Sequence, residues 1–454
     1  MRALTRRRLL GAAALAGAAA LAGCGLPGGA ARRPWEGEPE STEGLWGFVD
    51  ASGEWALPPR WHEARGFEGG LATVQYGDEG SATRDDPPLV GLITEDGEMA
   101  FDPIVGDFGC ELSQGAFAVD TNWERGTLEL AFYGTDGHRV APAEGGFNNA
   151  GPFRPADALF GEPYALARLS AGGWGALSLD GSWLMDPRFG GEVMDRFYDA
   201  PNEAGLLVAS ASSGPGSWGV ADASGSWVVG PRYDDMTTFR PGLGGRFAGF
   251  EEGGLWGLLA QDCSVVVPAA YEGTVVLGGV VRLADADLYL AEEPGTGLWG
   301  TLRGDLSGWE AGPRWSWLVP PSAPSPIPSA GPLFARDGGT GLWGAASPGD
   351  GSWLVAPRWG DSPKALAGLG PGLVAASDPE GGLWGVADAA TGEWAAEPAF
   401  GALWDLGPGL AAAQGPGGGP WGLVDASGSW AVGPAFGELR SPGDDGLVPA
   451  RSAG

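Results

Sequence analysis

Leu45–Trp61 reads LWGFVDASGEWALPPRW. Phe48 and Val49 follow Trp46-Gly47 as a short apolar run, and Trp55, Ala56 and Leu57 form a second one that Pro58-Pro59 stops. Between them Asp50-Ala51-Ser52-Gly53 has the chemistry of a tight turn: the Asp carboxylate accepts local backbone N–H groups, and Gly takes up a left-handed backbone at no steric cost. Two short runs around such a turn predict a β-hairpin. Gly70-Leu71-Ala72-Thr73-Val74 supplies a further strand, so one unit is expected to be a meander of three strands. A lone hairpin is marginal in water, and the unit therefore needs neighbours to cover its Trp residues.

The neighbours are in the same chain. Trp-Gly recurs at Trp46-Gly47, Trp174-Gly175, Trp218-Gly219, Trp256-Gly257, Trp299-Gly300, Trp343-Gly344, Trp384-Gly385 and Trp421-Gly422. From Trp218 onward the spacing is 37 to 44 residues. A second Trp follows at Trp55, Trp183, Trp227, Trp309, Trp353, Trp394 and Trp430. The gap between Trp46 and Trp174 holds two degenerate units, at Val90-Gly91 with Asp96-Gly97 and at Leu130-Ala131 with Asp136-Gly137. Counted with these, there are ten units. Val90 and Leu130 stand in for the first Trp, and Met99, Arg139 and Val265 for the second. A Pro closes each unit's second run, at Pro58, Pro103, Pro142, Pro187, Pro231, Pro268, Pro313, Pro357, Pro398 and Pro434, often with an aromatic two residues on. Tryptophans in columns are a property of the repeat and are read as core rather than as one active site.

A period near forty predicts a solenoid, propeller or array. The ordered series of Trp-Gly, Asp…Gly turn, Trp, Pro, aromatic and Gly-Leu resembles the WG-repeat family, over Gly44 to the end of the chain. The resemblance implies an all-β repeat protein of a kind common in bacteria and often exported, and it carries over no catalytic residue. The expected fold is a tandem array of about ten short antiparallel meanders. An open solenoid or superhelical array is expected, with a closed propeller-like ring as the alternative. The chain ends on a Gly-Leu type strand, Gly446-Leu447-Val448-Pro449-Ala450, which has the Trp-Gly strand of unit one as a possible pairing partner.

The formal net charge is -31, and all but Lys364 of the 26 basic residues are Arg. Such acidity repels phosphate backbones, so a nucleic-acid partner is not expected. The 84 Gly and 38 Pro fall at turns in register, which argues against disorder, and 43% hydrophobic residues suffice for a continuous core.

Residues 1–23 read as an export signal, with Arg2 and Arg6-Arg7-Arg8 before the apolar run Leu9–Ala22. Leu21-Ala22-Gly23-Cys24 resembles a lipobox, which implies acylation of Cys24 and an anchor at the outer face of the cytoplasmic membrane, in the cell envelope. Thr5–Leu10 also resembles a twin-arginine signal. Residues 24–43, rich in Gly and Pro, read as a flexible tether, and residues 44–454 as the array. Pro320–Pro332 reads as a Pro-rich loop insertion.

Catalytic chemistry is sparse. His62 and His138 have no second His at metal-ligand spacing, so no metal is expected, and no cofactor. Cys110 and Cys263 are expected as free thiols. The recurrent Asp residues are read as turn formers, since one carboxylate per turn falls short of the six to eight oxygens calcium takes. Trp123, Trp317 and Trp404 lie outside the columns and are the binding candidates. These features predict a non-enzymatic lipoprotein that binds a macromolecular partner, with recognition of a cell-wall glycan by exposed Trp as the alternative.

Overall fold

The computed structural model describes residues 39, 41–77, 83, 87–169, 172–193, 204–239, 247–272, 280–283, 288–319, 332–407 and 409–453. The chain divides into Met1–Glu38 and Pro39–Gly454. The expectations for the signal segment, Cys24, most of the tether and all of the Pro-rich loop but Pro332 lie outside the described residues. Among those residues no helix is long and apolar enough to cross a membrane.

The described chain is all-β, apart from one 3₁₀ turn at Trp123–Arg125. Its strands form antiparallel meanders in sequence order. Eight hydrogen-bonded sheets are present, two of them seven-stranded. Each seven-stranded sheet joins two meanders through one long strand, Trp309–Val319 or Trp430–Leu439. Resolved in this way, the array has ten units, as the motif spacing predicts.

Sequence repeat and sheet are out of phase. The strand Leu71–Tyr76 pairs with Leu89–Thr94 of the next repeat, not with the hairpin that precedes it. A complete meander is therefore four strands, such as Glu63–Glu68, Leu71–Tyr76, Leu89–Thr94 and Ile104–Val105, and not the expected three. The Trp-Gly strand is third, and the strand with the second Trp is fourth.

This offset leaves half a meander at each end of the array, and the halves combine. Trp46–Val49 pairs along its whole length with Val448–Ser452, which pairs in turn with Glu438 and Leu439. The ends share one sheet, so of the two expected forms the array takes the closed ring and not the open solenoid.

The motif follows from the geometry of the third and fourth strands. Trp46 lies opposite Trp61 while Phe48 lies opposite Leu57, so extra residues of the fourth strand bulge over Gly47. A Cβ at Gly47 would sit 2.6 Å from Leu57 O and 2.8 Å from both Pro59 N and the Trp55 ring. Gly175, Gly300 and Gly344 meet the same three groups, a carbonyl, a proline nitrogen and the second Trp. Proline suits the bulge because it brings no N–H that would need a partner there. In unit one that proline is Pro59 rather than Pro58. Where unit two lacks the second Trp, the Met99 methyl covers Gly91 instead.

Units join through two further contacts. The turn glycine rests on the fourth strand of the preceding unit: Gly97 on Leu57, Gly225 on Met185 and Arg188, Gly392 on Val355, Gly428 on Ala396. The second Trp meets the preceding unit's aromatic edge to face, with Trp227 5.0 Å from Phe189, Trp353 6.5 Å from Trp315 and Trp430 5.4 Å from Phe400. Unit one makes both contacts with unit ten: Gly53 on Val432, and Trp55 5.7 Å from Phe436 at 86°. The closing joint is thus an ordinary joint. In units six and seven Cys263 (φ 62°) and Leu306 (φ 58°) hold the left-handed turn position in place of Gly, and both pack into the joint.

The turn Asp residues are consumed locally. Asp50 Oδ1 accepts from Ser52 N at 2.8 Å, Ser52 Oγ at 2.6 Å and Glu54 N at 3.2 Å, and Asp222 and Asp425 repeat the pattern. These bonds favour the carboxylate form. Serine donors hold Asp180 and Asp350 down at about 2.

Gly428→Ala adds a Cβ against Ala396 at a left-handed position, and we expect it to cost about 2–5 kcal/mol in urea unfolding. Gly418→Ala has φ +75° with open space around it and should cost only about 1–2 kcal/mol. Equal losses would show that the joint contact is unimportant. Because folding depresses the Asp350 pKa, its contribution is present above about pH 4 and fades as pH falls toward the folded value. The denaturant midpoints of Asp350→Ala and the parent should therefore differ at pH 7 and converge near pH 2.

Candidate functional site

The first strands of successive units approach one another closely, which makes that end of each meander the inner one. Between units one and four they line a cleft of about 370 Å³. Its walls are Gly66–Glu68, Glu111–Ser113, Pro152–Pro155 and Ser441–Asp444, one segment from each unit. All four lie at or beside links between first and second strands, which places the cleft on the face that also carries the Asp turns.

Beside the cleft, Arg440 fastens the last strands of the array to the first ones. It donates to Glu63 at 2.6 Å and to Ala64 O at 2.8 Å, and its guanidinium stacks 3.7 Å from the Trp46 ring. Arg65 continues the row toward Glu111 at 3.6 Å and lies over Phe108. Gly66 and Gly443 meet backbone to backbone, and Asp444 N donates to Phe67 O at 2.8 Å. The cleft wall is therefore fixed by main-chain contacts that a side chain would break.

The rim is acidic. Burial pushes the Glu68 carboxyl above its ordinary value, with Asp444 and Glu111 adding like charge, while a 2.6 Å bond from Gln114 N opposes the rise. Phe67, Leu112 and Phe153 give the cleft an apolar floor. A shaped, partly apolar cleft with carboxylates at its mouth suits an apolar segment that carries basic groups.

The repeat-defining residues lie elsewhere. Trp46, Trp174, Trp256 and Trp299 are fully buried, Trp343 nearly so, and Trp218, Trp384 and Trp421 half-buried. Of the second column only Trp430 is exposed. The three binding candidates are not brought together. Trp317 packs 6.1 Å from Trp299 and Trp404 6.2 Å from Trp421, and Trp123 lies in a 3₁₀ turn between two strands; all three are half-buried. His62 accepts from Gly77 N at 2.9 Å, and the backbone of His138 is bonded to Asp136 in its turn. Cys110 and Cys263 are free thiols, and burial pushes Cys110 up to about 12. The cleft residues carried no sequence signal, because no motif marks where four inner strands meet.

The chain carries WG containing repeats: that family's profile matches residues 46–79 and 218–256. None of the curated proteins compared matches it significantly. Among solved structures it is similar to BamB from Moraxella catarrhalis, 11% identical over 86% of this chain and 96% of that one, with a TM-score of 0.29. The C-terminal WD40 domain of Sif2 is 10% identical over 80% and 77%, TM-score 0.27. A puromycin hydrolase mutant is 14% identical over 76% of this chain and 57% of that one, TM-score 0.28.

Arg440→Ala leaves Glu63 with a longer partner and uncovers Trp46. We expect a loss of about 2 kcal/mol in denaturant unfolding, since charged hydrogen bonds are worth roughly 1.5–3 kcal/mol. An unchanged midpoint would show that the closure does not depend on it.

Proposed function

We propose that the protein is an exported lipoprotein, held at the outer face of the cytoplasmic membrane through Cys24, that binds a macromolecular partner without catalysis. The observation that carries the binding reading is the cleft where segments of four units converge. The Trp, Gly, Pro and Asp of the repeat are taken up by bulges, joints and turns, so recognition falls to residues that differ between units. The export reading is supported by the basic and apolar run before Leu21-Ala22-Gly23-Cys24.

The partner class that fits is a protein segment carrying basic groups. Lys or Arg side chains relieve the mutual repulsion of Glu68, Glu111 and Asp444. The test is capture of envelope proteins by the full-length chain from detergent extracts. Glu111→Arg combined with Ser441→Trp reverses one charge and narrows the mouth, and it should reduce capture of a specific protein about tenfold or more. Trp123→Ala should leave capture unchanged. Undiminished capture by the double variant overturns the cleft as the site. Retention on peptidoglycan that soluble sugar competes away would replace the protein partner with a glycan.

A further inference from the structure

The fourth strand of each unit is its outer one, so its outward edge is where the rim of the ring meets solvent. In unit ten that strand is Trp430–Leu439. Trp430, Val432 and Phe436 pair on one edge with Val424, Leu423 and Trp421. On the other edge Val448–Ser452 of unit one takes up only Phe436, Glu438 and Leu439. Over Trp430–Ala435 that second edge pairs with no strand among the described residues.

The open stretch is apolar and exposed. Trp430 is 39% exposed, Ala431, Gly433, Pro434 and Ala435 are exposed, and Val432 is half-buried. None of Trp430–Gly437 carries a charge. An open edge is a template for a further strand, and folded proteins guard such edges with charged side chains. Most other units do so. Arg60, Arg188, Arg232, Arg314 and Arg358 stand one residue before the closing aromatic, where unit ten has Ala435, and unit nine carries Glu397 in its strand. Unit six is uncharged over Val265–Tyr271, but most of that strand is half-buried or buried.

We infer that two copies of this chain pair through the open edge of unit ten, Trp430–Gly433 of each running antiparallel to the other about a two-fold axis. Charge and symmetry select this occupant. A basic partner finds no carboxylate on the strand to pair with, whereas an antiparallel edge is complementary to itself. Pairing joins the two unit-ten meanders into one continuous sheet and gives each Trp430 a cross-strand neighbour. Pro434 has no N–H and ends the ladder, so the contact is one short strand from each copy. The rest of the surface opposes it, since each copy carries a formal charge of -31. Salt screens that repulsion and leaves the uncharged contact unchanged. Association through this edge therefore strengthens as ionic strength rises, the reverse of an ion-paired interface.

The test is sedimentation equilibrium of the full-length chain in non-ionic detergent, under reducing conditions, at about 0.05 M and about 0.5 M salt. The parent should form a dimer whose dissociation constant falls about fivefold or more at the higher salt. Ala435→Arg restores the residue that five other units carry, and Ala431→Glu brings a charge of opposite sign; each should weaken the dimer about tenfold or more. Leu354→Glu makes the same change of net charge at an exposed residue of unit eight and should leave the dimer intact. A monomer at both salt concentrations overturns the inference. So does a dimer that Ala435→Arg and Ala431→Glu leave intact, a dimer that salt weakens, or growth beyond the dimer.

Discussion

The fold depends on how a turn glycine and a Trp ring of one unit seat on the fourth strand of the unit before it. Neither half of the contact is available within a single meander, since the ring and the surface it covers belong to different repeats. A unit alone leaves its second Trp and the preceding aromatic in water, each an amphipathic or apolar surface of substantial area. The joint also explains why Gly ends the turn in most units. The neighbour's side chain approaches so closely that a Cβ is excluded, over and above the left-handed φ. Cys263 and Leu306 show the alternative, in which the strain of a non-Gly turn is offset by side-chain burial in the joint.

Closure follows from phase. A repeat that opened and closed on the same sheet would leave two finished ends, and capping them would be a separate problem. Here the described array starts on a third strand and stops on a second, so each would be an exposed edge with unpaired backbone groups if left alone. Pairing Trp46–Val49 with Val448–Ser452 satisfies both at once. Gly53 on Val432 and Trp55 on Phe436 then repeat the joint found between consecutive units. Arg440 adds a charged hydrogen bond and a cation–π contact at the same place, where no covalent link holds the units together.

Much of this was legible in the residues. The columns of Trp, the turns and the proline bulges all act within about fifteen residues, and their spacing identified all ten units, including the degenerate two. The phase was not legible, because Gly70-Leu71 reads equally well as the end of one meander or the start of the next. Pairing of the last Gly-Leu strand with the first Trp-Gly strand was legible as an option, but ten units exceed the roughly four to eight blades usual for a propeller, which favoured the open array. The cleft stayed hidden because it is assembled from four segments spread from Gly66 to Asp444. Trp317 and Trp404, singled out as unit-specific, pack against column Trp residues. Burial of that kind depends on the neighbouring strand rather than on the repeat.

The departures from the repeat differ in what they do to the structure. A sequence that specifies one structure keeps its local rules, and it breaks them where another demand competes. Units two and three lack Trp in both columns, and they supply two walls of the cleft. Unit six also departs: its Cys263 packs into the joint with the preceding unit, while Val265, in the place of the second Trp, is exposed. The two kinds of departure differ in consequence. One keeps the turn position of the joint filled, with Cys263 in place of Gly. The other keeps the turn glycines on the preceding unit, at Gly97 and Gly137, gives up the second Trp beside the ring's closure, and borders the inner cleft.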